Sequence, residues 1–364
     1  MHILEVIPVL RLAGAEIMCE TLSKELKKKG HKITIVSFYN EETEITNRLI
    51  NAGIEIIFLG KHKGIDFSIV KKIKKVIQDR RPDIIHTHLN TLKYVAIALV
   101  WNREMNIPIV HTIHNVAEKE VTKLDQKFHK YLYNKKKAYP VAISQEIKKT
   151  TIECYDLRDE DVSLILNGVD LNQCIPKKTY ICENERFVFL HVARFAPQKN
   201  NFNVVQAFKQ VYDVEKEIEL WLIGNGDKNI IEKIQKYIKD NKLEDNVKIM
   251  GAKASVYEDM HNADVFLLPS IYEGMPLTII EAMGTGLPII ATAVGGVPDV
   301  IRDHVNGILI DCNIETLAKT MKECLYNISI RQKIGENALK DSKKYNSERM
   351  AESYLKLFCK LLRQ

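Results

Sequence analysis

A chain of 364 residues is long enough for two domains, and 46% hydrophobic with 27% charged residues is the balance of a globular protein with ample core. The longest uninterrupted apolar run, residues 95–101, is far too short to cross a bilayer, so a spanning helix is excluded. Net charge is +6, with the basic excess confined to residues 1–180 and the remainder balanced to within one charge. The basic clusters (Lys71-Lys72, Lys74-Lys75, Arg80-Arg81, Lys135 to Lys137, Lys148-Lys149) leave two readings open: solvated helix faces, or attraction to an anionic membrane surface or a phosphate-bearing acceptor. Nucleic acid is not an expected partner, because no recognition motif or interleaved aromatics accompany them. The seven scattered cysteines lack any C-x-x-C spacing, which argues for a reducing compartment and against a zinc site. Ala13-Gly14-Ala15 has the look of a signal-peptidase site, but Glu5 and Arg11 interrupt the apolar stretch before it. That stretch reads instead as a buried first strand, and a cytoplasmic protein is expected.

Short β-branched runs alternate with longer helical patterns along the chain, the signature of parallel sheets joined by helices. Strands are predicted over 3–8, 32–38, 55–59, 84–86, 109–112, 141–144 and 162–166, with helices over 15–29, 67–80 and 92–104 between them. Residues 171–186 are polar, carry Pro176, Lys177 and Lys178, and read as an interdomain linker. The alternation restarts with strands over 187–193, 219–223, 247–250, 265–268, 288–292 and 307–310, and a last helix spans about 347–362. The expected organisation is α/β: a doubly wound domain over 1–170, the linker, a second over 187–346, and a terminal helix within 347–364 packing back on the first domain. Two such sheets are expected to face a cleft, with ligands beyond the carboxyl ends of strands.

Chemistry-bearing residues follow those strands in order. Ala13-Gly14-Ala15-Glu16 comes after the first. His86 and His88 read as lining an acceptor side, and a metal reading is poor because no carboxylate or cysteine accompanies them. In His111-Thr112-Ile113-His114-Asn115, His111 belongs within its strand while His114 lies beyond the strand end; a packed, purely structural histidine is the plain alternative. Asp159-Glu160-Asp161 is formally a metal-binding D-x-D, but it precedes a strand and reads as solvated surface.

The second half is more specific. Arg194 and Lys199 lie five positions apart on a loop after a strand, where two cations can flank one diphosphate and stabilise its departure. Gly224-Asn225-Gly226 reads as a tight strand-to-helix turn, too short for a dinucleotide fingerprint. After the strand ending at Leu268 come Glu273, Gly274, Met275, Pro276 and Leu277, with Pro276 expected at the first helical position. The positive pole and free amides of that helix start suit an anion. Glu281 lies within the helix, among apolar neighbours that make an unpaired charge costly. Gly295-Gly296 precedes Val297-Pro298 as a further turn.

In this order and spacing the residues resemble glycosyltransferase family 4, of GT-B architecture with two Rossmann-like domains. The resemblance rests on E-x7-E as Glu273 and Glu281, R-x4-K as Arg194 and Lys199, Asn167-Gly168-Val169-Asp170, Gly224-Asn225-Gly226 and Gly295-Gly296-Val297-Pro298. It departs from the family at Ala13, where a glycine is usual. The resemblance implies that Glu281 holds the donor ribose, Glu273 touches the transferred sugar, Arg194 and Lys199 bind the diphosphate, and the amides of Gly274 to Leu277 assist. Gly14 would approach the phosphates, His114 would face the sugar, and backbone near Met250 to Ala252 would read the base. It further implies retention of anomeric configuration, no metal or other cofactor, and a nucleotide diphosphate-sugar, UDP-linked by preference, as donor. The acceptor is expected to be a glycan or lipid-linked acceptor of cell-surface polysaccharide assembly, capsule or lipopolysaccharide, reached from the inner face of an anionic membrane. Two alternatives remain: a nucleotide-sugar epimerase of the same architecture, and a catalytically inactive sugar-nucleotide-binding protein.

Overall fold

The computed structural model describes residues 1–62, 64, 66, 68–100, 106–182 and 185–363. It divides into two compact units, Met1–Gly168 with Ser347–Gln364, and Val169–Asn346. In the first unit β1 (His2–Ile7), β2 (Lys32–Ser37), β3 (Glu55–Phe58), β4 (Ile84–His88), β5 (Ile109–Ile113), β6 (Tyr139–Ala142) and β7 (Ser163–Leu164) form one sheet in the order β3-β2-β1-β4-β5-β6-β7. In the second, β8 (Phe187–Val192), β9 (Ile218–Ile223), β10 (Val247–Ile249), β11 (Val265–Leu268), β12 (Ile289–Thr292) and β13 (Ile308–Ile310) order as β10-β9-β8-β11-β12-β13. The strand pairs are parallel, and central strands such as β11 are buried at every residue, as sheets covered on both faces by helices require.

Each predicted strand is present, with ends shifted by a residue or two. The shift that matters is at β4, which runs on to His88 and so puts both of its histidines inside the sheet. The helix predicted over 92–104 is seen as Leu92–Val100, and positions 101–104 lie outside the described residues. That predicted over 67–80 is seen as Ser68–Arg80, position 67 likewise lying outside.

Residues 171–186, read as a linker, are fastened to the second unit at several points. The Lys177 backbone N–H donates to Thr285 O at 2.8 Å, its Nζ to the carbonyls of His261 and Ala263, and the Tyr180 hydroxyl to Gly286 O at 3.0 Å. Arg331 donates to Tyr180 O at 2.9 Å. These bonds are made largely to backbone carbonyls, so hydrophobic periodicity could not reveal them. The crossings between units fall at 168/169 and 346/347. Helix Ser347–Leu361 buries Met350, Ala351, Tyr354, Phe358 and Leu361, one apolar stripe at helical spacing, within the first unit.

Both sheets reverse direction of winding at a central pair, β1/β4 and β8/β11. Ligands in doubly wound sheets bind beyond the strand ends at such a switch point. The residues singled out after β8, β11, β1 and β5 therefore sit at or beside these two places.

Candidate active site

In the second unit the loop after β8 is pinned at both ends. His191, fully within the sheet, donates from Nδ1 to Leu267 O at 2.8 Å and accepts at Nε2 from Asn201, at 3.1 Å. Asn201 in turn accepts from the Ala196 N–H at 3.2 Å. Gln198 O accepts from the Ile271 N–H at 2.8 Å, and Asn200 donates to Pro269 O at 3.1 Å, so this loop is stitched to the one after β11. The stitching delivers Lys199 to Glu273: Nζ lies 2.5 Å from Oε1, and the Ser270 hydroxyl donates to the same oxygen at 2.6 Å. Glu273 is buried and Lys199 half-buried. Arg194 is exposed and makes no hydrogen bond or ion pair with the described residues.

Glu281 is different in kind. It sits in helix Leu277–Thr285, which is buried along nearly its whole length, and its carboxylate has no hydrogen-bond partner among the described residues. Desolvation pushes its pKa up to about 7. The helix begins one residue later than predicted: Pro276 occupies the capping position, with Leu277 the first helical residue. No side chain caps this start, so its leading amides keep the donor character that suits an anion.

The glycines serve loop packing. A Cβ on Gly224 would lie 2.0 Å from Ala193 O, and one on Gly226 2.1 Å from Phe195 O, so the G-x-G lets the β9 loop press against the Arg194 loop. The Met250 N–H donates to Leu222 O and the Ala252 N–H to Asn225 Oδ1, which spends both amides inside the protein. Gly295 has φ +54°, and a Cβ there would fall 1.8 Å from the Glu273 carbonyl oxygen. Gly295→Ala is therefore expected to displace the Glu273 loop, lowering the melting temperature and cutting turnover about 100-fold, since misplacement of about 1 Å has that effect. A thermal melt and a steady-state assay check this; wild-type values in both would contradict the role given to Gly295.

In the first unit Gly14 opens helix Gly14–Lys28, again without a side-chain cap, and the space beside its α-carbon is open. His111 lies within β5 and His114 directly after it, half-buried. What sequence reading missed is the carboxylate beside the β4 histidines. It comes from β1: Glu5 is in register with His86 and all three residues are fully buried. Glu5 Oε2 is 2.9 Å from His86 Nδ1 and 2.8 Å from His88 Nε2, and His88 Nδ1 is 3.0 Å from His114 Nε2. On the other side His86 Nε2 meets the Thr112 hydroxyl at 2.7 Å, which meets the Tyr354 hydroxyl at 2.7 Å.

Contrary to the sequence-based expectation, a carboxylate does accompany His86 and His88. Ligand atoms of Glu5, His86 and His88 all lie within 4.8 Å of one another. Every one of those atoms, however, already has a hydrogen-bond partner, so the cluster is complete as a network. Burial alone would raise Glu5, but the charge of His86 and the hydrogen bonds from His86 and His88 outweigh it and bring Glu5 down to about 2. Desolvation, then His86, takes His88 down to about 4, and desolvation with both neighbouring rings holds His114 well below the usual histidine range. Glu120, also unforeseen, accepts from the His114 backbone N–H at 3.2 Å, and burial drives it up to about 8. Asp161 of the formal D-x-D is ion-paired with Arg158 in an exposed turn, as a surface reading expects.

Two doubly wound units of this strand order make the GT-B architecture, and the protein is a glycosyltransferase. It belongs to glycosyltransferase family 4: the model described as Glycosyltransferase Family 4 matches residues 12–173, and Glycosyl transferases group 1 matches residues 177–341. The chain is 28% identical to the UDP-Gal:alpha-D-GlcNAc-diphosphoundecaprenol alpha-1,3-galactosyltransferase of Escherichia coli, over 72% of this chain and 74% of that protein. It is 25% identical to the N-acetyl-alpha-D-glucosaminyl L-malate synthase of Bacillus anthracis, over 97% and 95%. Among solved structures, Alr3699/HepE of Anabaena in complex with UDP-glucose matches with a TM-score of 0.86 at 21% identity, covering 99% of this chain and 100% of that one. Among the described residues no helix is long and apolar enough to cross a membrane.

Proposed function

We propose that the protein moves a sugar, with retention of configuration and without a metal, from a UDP-sugar to a glycan or lipid-linked acceptor. The observation that carries this reading is Glu281: a buried carboxyl with no partner of its own, in the same unit as the Lys199–Glu273 pair. A group so costly to bury is accounted for by a ligand diol that donates two hydrogen bonds to it. Within the second unit Lys199, Arg194 and the amides from Gly274 to Leu277 would take the diphosphate, and Glu273 the sugar hydroxyls. The acceptor hydroxyl oxygen bonds to the anomeric carbon on the face the diphosphate leaves. The bond from that carbon to phosphate oxygen breaks, and the hydroxyl proton passes to a leaving phosphate oxygen. Fixed cations stabilise the charge that builds there, which is the task a divalent ion performs in other transferases.

The UDP-sugar reading draws support from the donor named for the Escherichia coli relative and from the ligand of the Anabaena structure. With the Met250 and Ala252 amides already engaged, the base would have to be read by the remaining backbone groups of that turn. Turnover of a UDP-sugar panel, with and without a polyprenyl-diphosphate glycan acceptor and in excess chelator, tests the proposal. UDP release that needs the acceptor and ignores the chelator is expected; isomerised donor without acceptor would replace it by the epimerase reading. The acceptor side of the proposal includes contact with a membrane, supported by the basic excess of residues 1–180. Vesicles containing anionic lipid are expected to bind the protein in 50 mM salt and release it as salt rises, whereas neutral vesicles should not bind. Equal binding to both would remove the membrane contact.

A further inference from the structure

The hydrogen-bonded chain from β1 to His114 is long, buried and directional. It uses no group that the transfer chemistry consumes. An ionised carboxylate only accepts, so both ring nitrogens aimed at Glu5, His86 Nδ1 and His88 Nε2, must carry protons. His88, neutral in its desolvated place, then has a bare lone pair on Nδ1. The partner of that lone pair is His114 Nε2, 3.0 Å away, which must donate. His114 is neutral as well, so its remaining nitrogen, Nδ1, is left without a proton. That atom has no hydrogen-bond partner among the described residues.

We infer that Glu5 and His88 are positioning residues that lock His114 into the Nε2–H tautomer, so that its Nδ1 can only accept a hydrogen bond, from a ligand hydroxyl. The register of the sheet makes this possible. Glu5 on β1 pairs with His86 on β4, and His86 and His88, two residues apart, share a face, so one carboxylate serves both rings. Thr112 and Tyr354 close the far end of the chain at His86, which ties the arrangement to the terminal helix within the same unit. Glu120 holds the His114 backbone from another side, and it is at the backbone that it acts. The ligand class follows: a sugar hydroxyl that donates is accepted, and a bare phosphate or carboxylate oxygen, which has no proton to give, is not. The consequence for turnover rests on the proposed sugar transfer; the tautomer itself does not.

Long-range ¹⁵N–¹H spectra of the histidine-labelled full chain at neutral pH report the tautomer directly. His114, assigned by loss of its signals in His114→Asn, is expected to show a protonated Nε2 and an unprotonated Nδ1. Two variants separate positioning from simple packing. In His88→Asn the amide oxygen takes the place of Nδ1 and can still accept from His114, whereas in His88→Gln the amide reaches toward Glu5 and leaves His114 without its acceptor. The Asn variant is expected to keep the His114 tautomer and most of the activity. The Gln variant is expected to give mixed tautomers and about a tenfold lower kcat, with UDP affinity unchanged. A protonated Nδ1 in the wild type overturns the inference, even if neither variant folds. So do identical spectra for the two variants, or stoichiometric zinc uptake that shifts His86 and His88. Should the spectra come out as expected while no sugar is transferred, only the proposed function fails.

Discussion

Lys199→Ala is expected to lower kcat about 10²- to 10³-fold and to weaken UDP binding, whereas Glu273→Ala should lower kcat by a similar factor while UDP binds as well or better. The difference comes from the pair they form. In the free protein Lys199 Nζ rests on Glu273 Oε1, which also accepts from Ser270. In the proposed reaction an arriving diphosphate would compete with Glu273 for that ammonium. Removing the carboxylate ends the competition and leaves the cation to the phosphates, but it deletes the group proposed to hold the sugar. Removing the cation would delete the charge proposed to meet the leaving group, the kind of fixed donor whose loss costs about 3–4 kcal/mol of barrier. It also strands a buried carboxylate, so a lowered melting temperature is expected for Lys199→Ala and not for Glu273→Ala. Calorimetric UDP titrations beside steady-state kinetics test this. Near wild-type turnover in both variants would end the mechanism, and equal loss of UDP affinity in both would end the competition argument.

How much of this was legible from residues alone depends on what holds each part together. The strands were, because a parallel sheet buried on both faces writes itself as continuous β-branched runs, and β11 appears where its run predicts. So was the position of Arg194 and Lys199 in the loop after β8, of Glu273 in the loop after β11, and of Glu281 in the helix that follows. Contacts between residues far apart in the chain were not. Glu5 reads as an interruption of an apolar strand, and only the parallel register of β1 with β4 turns it into the partner of His86 and His88, 81 and 83 positions away. Residues 171–186 look like a linker because their bonds go to carbonyls of the second unit, which no side-chain pattern encodes. The Lys199–Glu273 pair lies between these cases: the residue pattern puts each on a loop after its own strand, and their meeting depends on the stitching of Gln198 to Ile271.

Glu281→Gln should make the free protein more stable and its binding of UDP weaker. Glu281 titrates at about 7 in the folded chain against 4.5 when unfolded. Between those values the folded state holds a proton that the unfolded chain has lost, so stability falls as pH rises through this window. Above pH 7 the full penalty of about 3 kcal/mol applies, and a neutral amide of the same shape removes it. The melting temperature of Glu281→Gln should therefore exceed that of the wild type by about 6–10 °C at pH 8 and by little at pH 5. Binding runs the other way. In the proposed mode ribose hydroxyls would donate to the ionised carboxylate, UDP would bind with loss of the proton, and wild-type affinity should drop up to about tenfold per pH unit below 7. The glutamine variant should bind about 10- to 100-fold more weakly at pH 8, by the worth of a charged hydrogen bond, with no such slope. Calorimetry across pH with both proteins, beside their melts, makes the comparison. A variant that melts lower than the wild type, or that keeps the wild-type affinity and slope, would show that this carboxyl is held for the fold and not for the donor.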